Sequence, residues 1–114
     1  MTIREKVFNK YKGHCAYCGC ELTIKEMQID HFESKFQSKY NKKEINNSFE
    51  NLMPSCRMCN FYKNYKDIET FREDLETLLE RVNKPFIYRL AKKYDLVEER
   101  KKQITFYFEK EVEE

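Results

Sequence analysis

From Thr2 to Tyr11 the chain places Ile3, Val7 and Tyr11 at i, i+4 and i+8, the spacing of one helix face, and Thr2 with Glu5 makes a T-x-x-E capping box. A short amphipathic helix is predicted there. After Gly13 the period is lost, and "HCAYCGCEL" reads as a tight cysteine knuckle. "MQIDHFES" then predicts a strand with Ile29 and His31 on one face. Residues Ser34 to Glu50 are polar and basic with scattered aromatics, which predicts a long loop; a loop of that length inside a compact domain is more often functional than idle. "NLMPSC" predicts a second short strand, and "RMCNFYKN" the start of a helix. Ile68, Phe71, Leu75, Leu78, Leu79 and Val82 form one stripe of a further helix over residues 67–82, capped by Asp67 and ended by Asn83 to Pro85. "FIYRLAKKYDL" predicts another short helix, "ITFYF" (residues 104–108) alternates like a strand, and the acidic tail "EKEVEE" is predicted to fray. The pattern contains no internal repeat, and its mixture of short strands and helices predicts an α+β fold.

Length adds one constraint. A chain of 114 residues fits a single domain, 1–114, large enough for a core but with little stability to spare, so a staple is expected. The opening "MTIREKVFNKYK" has no apolar signal-type run, and no stretch approaches the ~20 apolar residues of a membrane span, which predicts an unexported, cytoplasmic protein. Five cysteines in such a chain argue for metal or free thiols over disulfides. The net charge of +2 is uninformative, but its distribution is not: residues 1–66 carry 12 Lys/Arg against 7 Asp/Glu, and residues 67–114 carry 10 against 13. Four thiolates on one Zn²⁺ would add about −2 to the basic half. The charge is therefore compatible with a polyanion partner without requiring one.

Cys15-Ala-Tyr-Cys18 and Cys56-Arg-Met-Cys59 are two C-x-x-C pairs, each able to offer two thiolates to one tetrahedral ion. Cys20 is left over as a spare thiol, or as a substitute for Cys18. Cys18 and Cys56 are separated by 37 intervening residues, where simple four-cysteine zinc modules use roughly 15 to 20. Something is built between the knuckles, and that insertion holds "IDH" and "NL". A lone Asp-His step is usually incidental, and Asn51 alone could be a turn residue. Their position between two cysteine pairs is what singles them out.

Together "CAYCG", "IDH" and "NLMPSCRMCNFYK" resemble the zinc-containing branch of the HNH, or His-Me finger, endonucleases, phage recombination endonucleases among them, over about residues 13–66. The resemblance implies a ββα-metal core in which a hairpin and a helix pinch one catalytic divalent ion, Mg²⁺ or Mn²⁺, while Cys15, Cys18, Cys56 and Cys59 hold a separate structural zinc. It implies that His31 is the general base, that Asp30 and Asn60 are ligands of the catalytic ion, and that Asn51 fixes the loop. It further implies DNA as substrate, cut to 5′-phosphate and 3′-hydroxyl ends, in a phage or mobile-element setting. The roles suit the chemistry, since phosphodiester hydrolysis needs a base to activate water and a cation to stabilise the developing charge. An imidazole suits the base near neutral pH. Unlike many members, this chain follows Asp-His with no proline and no Gly-Gly turn. Arg57 and Lys63 are expected to contact phosphate. His14 receives no role. Residues 67–114 form a helical and β extension beyond the resemblance, suited to DNA grip, partner binding or homodimerisation. The rival reading is a non-catalytic zinc module that binds nucleic acid or protein; it would need the knuckles but not Asp30, His31 and Asn60 together.

Overall fold

The computed structural model describes residues 1–40 and 44–111. They form two compact units, one of Met1–Ile68 with the segment from Thr105 onward, the other of Glu69–Ile104.

The first unit opens with α1 (Ile3–Lys10), whose capping box forms as the sequence predicts, with Thr2 Oγ1 accepting from Glu5 N–H and the Glu5 carboxylate accepting from Thr2 N–H. Strand β1 (Gln28–His31) pairs antiparallel with β2 (Leu52–Ser55), with Asp30 opposite Met53 and His31 opposite Leu52. Pro54 is tolerated in β2 because, among the described residues, the sheet has only these two strands, and its carbonyl accepts from Ala16 N–H at 2.8 Å. Helix α3 (Arg57–Lys63) follows β2 directly, so β1, β2 and α3 make a ββα unit. A bare two-stranded hairpin is marginal in water. Here α1 clamps both of its strands: Arg4 donates to the carbonyls of Ile24, Lys25 and Met27 just before β1, and Lys10 donates to those of Phe49, Glu50 and Leu52 at the entry to β2. Val7, Met27, Met53 and Phe106 are buried, as are Ala16 and Tyr17 of the first knuckle, and Phe106 packs on the Tyr17 ring.

The stretch predicted as a loop from Ser34 to Glu50 contains helix α2 (Lys35–Tyr40) and a 3-10 turn (Phe49–Asn51); its residues 41–43 lie outside the described residues. Helix α2 is started by a second capping box, since Gln37 N–H donates to Ser34 Oγ and Ser34 N–H to Gln37 Oε1. The strand predicted over residues 104–108 is absent as well: residues 101–106 have no regular structure and Tyr107–Glu111 form a short helix, α7. Tyr107 and Phe108 N–H donate to the carbonyls of Tyr17 and Ala16, so this segment satisfies its backbone on the knuckle and not on a sheet. Gly19 makes that approach possible, because its φ is +82° and a Cβ there would stand 2.6 Å from the Tyr107 ring. The end of the predicted fraying tail, residues 112–114, lies outside the described residues.

In the second unit the helix expected over residues 67–82 is two helices, α4 (Ile68–Glu76) and α5 (Leu78–Val82). Thr77 divides them: its hydroxyl donates to the Asp74 carbonyl at 2.8 Å, competing for a backbone acceptor, and Arg81 donates to the same oxygen. The predicted short helix follows as α6 (Phe86–Lys93). Glu99 accepts from Asn83, Tyr88 and Lys92, and Arg72 donates to the Ile104 carbonyl. No helix among the described residues is long and apolar enough to cross a membrane.

Candidate active site and metal centre

The two C-x-x-C turns face each other, one following Gly13 and the other joining β2 to α3. The Sγ atoms of Cys15, Cys18, Cys56 and Cys59 all lie within 4.8 Å of one another, with Cys18 and Cys56 at 3.8 Å. A tetrahedron with Zn–S arms of ~2.3 Å has edges of about 3.8 Å, so the four sulfurs fit one such ion. Each turn also aims an amide at its first sulfur: Tyr17 N–H lies 3.4 Å from Cys15 Sγ, and Cys59 N–H lies 3.4 Å from Cys56 Sγ, where Cys56 caps α3. The hydrogen bond from Cys59 holds the Cys15 thiol down at about 4, and the same bond pushes the Cys59 thiol far up. The two sulfurs are thus a hydrogen-bonded pair in which Cys15 is the readier thiolate and Cys59 the thiol, and a metal binding both displaces the thiol proton. Cys20 lies outside the sulfur group and is exposed; its carbonyl accepts from Cys15 N–H.

Asp30 is buried on β1, and two side chains reach its Oδ2: the Tyr17 hydroxyl at 2.5 Å and the Lys63 ammonium at 3.0 Å. Burial, reinforced by the negative Asp30, pushes the Tyr17 phenol far up, so it acts as a donor throughout the working pH range. Lys63 also donates to the His31 carbonyl at 3.1 Å, and its side chain is 0% exposed. This corrects the expectation that Lys63 contacts phosphate. On α3 it projects inward, where the nearest anion is Asp30. Arg57 is exposed at the first position of α3.

His31 is half-buried, and its Nε2 lies 2.8 Å from Asn47 Oδ1. With that oxygen as acceptor, Nε2 carries the proton and Nδ1 the lone pair. Adjacent strand residues alternate in direction. Nevertheless Asp30 and His31 both border one open depression of about 250 Å³, together with Ser34, Lys35, Phe36 and Tyr65. Asn51 is buried behind it. Its Oδ1 accepts from Glu33 N–H at 2.7 Å, its Nδ2 donates to the carbonyls of Glu33 and Asn46, and its own carbonyl accepts from Phe32 N–H. Those bonds join the residues just after His31 to those just before Asn47, so both ends of the His31–Asn47 contact are tied to one amide. Asn60 is half-buried one turn before Lys63, on the same face of α3. Its side chain makes no hydrogen bond among the described residues.

Two residues at this site, Tyr17 and Asn47, were not singled out by sequence reasoning. Tyr17 had a signal, since a residue between two ligating cysteines is held rigidly wherever it points. Asn47 sits in a run of polar residues and had none. His14 is structural: its ring stacks on Tyr107 at 5.2 Å, and its backbone bridges to Glu21.

No curated protein matches the sequence. Residues 15–66, which include both knuckles, β1, β2 and α3, match the HNH endonuclease family model. The four cysteines placed to hold a metal ion lie inside this matched span, so residues 15–66 are the HNH-like segment of the chain, of the kind that pairs such a core with a cysteine cluster.

Proposed function

We propose that the protein is a metal-dependent DNA endonuclease that hydrolyses phosphodiester bonds to 5′-phosphate and 3′-hydroxyl ends. His31 acts as general base, and the four cysteines hold a structural zinc. The observation that carries this reading is the placement of His31: it borders an open depression in a family-matched ββα unit, with Nε2 2.8 Å from Asn47 Oδ1, and the tautomer this contact favours leaves Nδ1 to take a proton from water. Asn51 positions the loop that holds Asn47. Asp30 and Asn60 would hold the catalytic ion; both Asp30 contacts fall on Oδ2, leaving Oδ1, and the Asn60 amide has no competing side-chain bond among the described residues. Such an all-oxygen donor set suits Mg²⁺ or Mn²⁺. A divalent ion there supplies charge stabilisation for the phosphoryl group and the leaving 3′-oxygen. Arg57, exposed beside the second knuckle, would contact backbone phosphate.

The test is nicking of supercoiled plasmid by zinc-loaded protein with Mg²⁺, with Mn²⁺ and with neither. His31→Ala should lose roughly 100-fold or more in rate with DNA affinity nearly unchanged. Asn60→Ala should lose the response to added metal while keeping its zinc, and Asn60→His should stay active with a preference moved toward Ni²⁺ or Co²⁺. Wild type that nicks no faster than His31→Ala would sink the catalytic reading and favour the binding module.

A further inference from the structure

Three large aromatic side chains are exposed on α2 and just past α3, and one of them, Phe36, neighbours both of the others. Phe36 and Tyr40 on α2 are 55% and 79% exposed, and Tyr65, just beyond α3, is 52% exposed. The Phe36 ring lies 6.3 Å from Tyr40, near-parallel at 19°, and 4.8 Å from Tyr65. These rings are not needed to seat α2. Its inward face is made by Ser34 and Ser38, 7% and 0% exposed: Ser34 Oγ caps the helix and donates to the Tyr65 carbonyl at 3.1 Å, and Ser38 Oγ donates to Glu33. That framework holds the three side chains while leaving more than half of each exposed. The order K-F-x-x-K-Y over residues 35–40 runs two stripes along α2, one of rings and one of the exposed cations Lys35 and Lys39. Neither lysine is ion-paired among the described residues. Phe36, Tyr65 and Lys35 border the same depression as Asp30 and His31.

We propose that Phe36, Tyr40 and Tyr65 are a stacking platform for unpaired bases, and that the substrate presents single-stranded DNA at the cut. An aromatic patch interleaved with lysines fits a strand whose bases stack on rings and whose phosphates meet cations. Bases inside a duplex are already stacked and offer only their edges to such a surface. The placement of the cut rests on the nuclease reading above; the binding of unpaired bases does not.

The experiment is fluorescence anisotropy of zinc-loaded protein, without added Mg²⁺ or Mn²⁺, on a labelled oligothymidylate and on a duplex of equal length. Wild type should bind the single strand more tightly. At ~1–3 kcal/mol for each stacked base, Phe36→Ala and Tyr65→Ala should each weaken single-strand binding by roughly 5-fold or more and leave duplex binding unchanged. Phe36→Tyr should retain the affinity, whereas Phe36→Leu, equally apolar but without a π-face, should lose it. Equal affinity of wild type for both DNAs, or alanine variants matching wild type, overturns the proposal, and a protein partner then becomes the better occupant. Plasmid nicking separates the two readings. Nicking with ring-independent binding leaves the nuclease standing and removes the platform; ring-dependent single-strand binding without nicking does the reverse.

Discussion

Replacing Lys63 by methionine removes the ammonium and keeps most of the stem's bulk. In the native protein that ammonium is 3.0 Å from Asp30 Oδ2 and 3.1 Å from the His31 carbonyl, with no solvent on the side chain. At 3.0 Å the bare attraction is about 5 kcal/mol at an effective dielectric near 20, but stripping water from both charges offsets much of it. The cost of deletion is instead set by what is left behind. Asp30 stays buried with one neutral donor, Tyr17, and the His31 carbonyl loses its lysine partner. Breaking a buried pair costs about 3–5 kcal/mol, and the surviving Tyr17 bond favours the lower half of that range. Urea unfolding with zinc held saturating measures it. Adding Asp30→Asn to Lys63→Met should recover much of the loss, with a coupling of about 2 kcal/mol or more between the sites. A loss below about 1 kcal/mol, or no coupling with Asp30, would refute the buried-pair reasoning. DNA binding gives an independent check, because one phosphate contact adds ~0.9 to the salt slope on duplex DNA. Lys63→Met should leave that slope unchanged, and Arg57→Ala should reduce it.

The metal centre yields two further expectations. Cys15→Ser and Cys59→Ser should each lose zinc, read by elemental analysis, and unfold at far lower urea, while Cys20→Ser keeps both zinc and stability. Zinc affinity should climb with pH, because the Cys59 thiol, held up in the metal-free fold, must give up its proton to the ion, and that release costs less as pH rises. A pH-independent zinc titration would contradict a raised thiol at Cys59. Asn51→Ala should cost about 2–3 kcal/mol, since Glu33 N–H, Glu33 C=O and Asn46 C=O all lose their side-chain partner in a buried setting. It should also broaden the His31 imidazole NMR signals by freeing Asn47, and sharp unshifted signals would count against Asn51 as the anchor.

How far this fold can be read from sequence depends on how local its causes are. The capping box of Thr2 and Glu5, the hairpin from "IDH" and "NLMPS", and the helix beginning at the second knuckle were legible because each is specified within a few residues. Helix α2 carried the same kind of signal in Ser34 and Gln37, overlooked because polar composition suggested a loop. The strand expected near residue 106 failed for a tertiary reason. The alternating pattern reflects Phe106 and Phe108 both meeting the Tyr17 ring in T-shaped contacts, at 5.8 and 6.2 Å, and not a neighbouring strand. Lys63 departs from the sequence expectation because a helix lysine is normally solvated. Only the position of Asp30 across the ββα unit shows why this one is inside.

That position also connects the two halves of the site. The first knuckle contributes Tyr17, set between Cys15 and Cys18, and the second contributes Lys63, one turn beyond Asn60 on the helix that Cys56 caps. Both side chains end on the same oxygen of Asp30. The cysteine cluster therefore does more than close the long insertion between its pairs. By fixing the backbone on either side of β1, an ion held there would set the two donors that hold Asp30, while Asn51 independently sets the loop that holds His31 through Asn47. The two supports differ in kind: one depends on metal and the other on an amide. Stripping zinc should thus release Asp30 together with the whole ββα packing, whereas losing Asn51 should loosen His31 and leave the sulfur cluster and Asp30 in place.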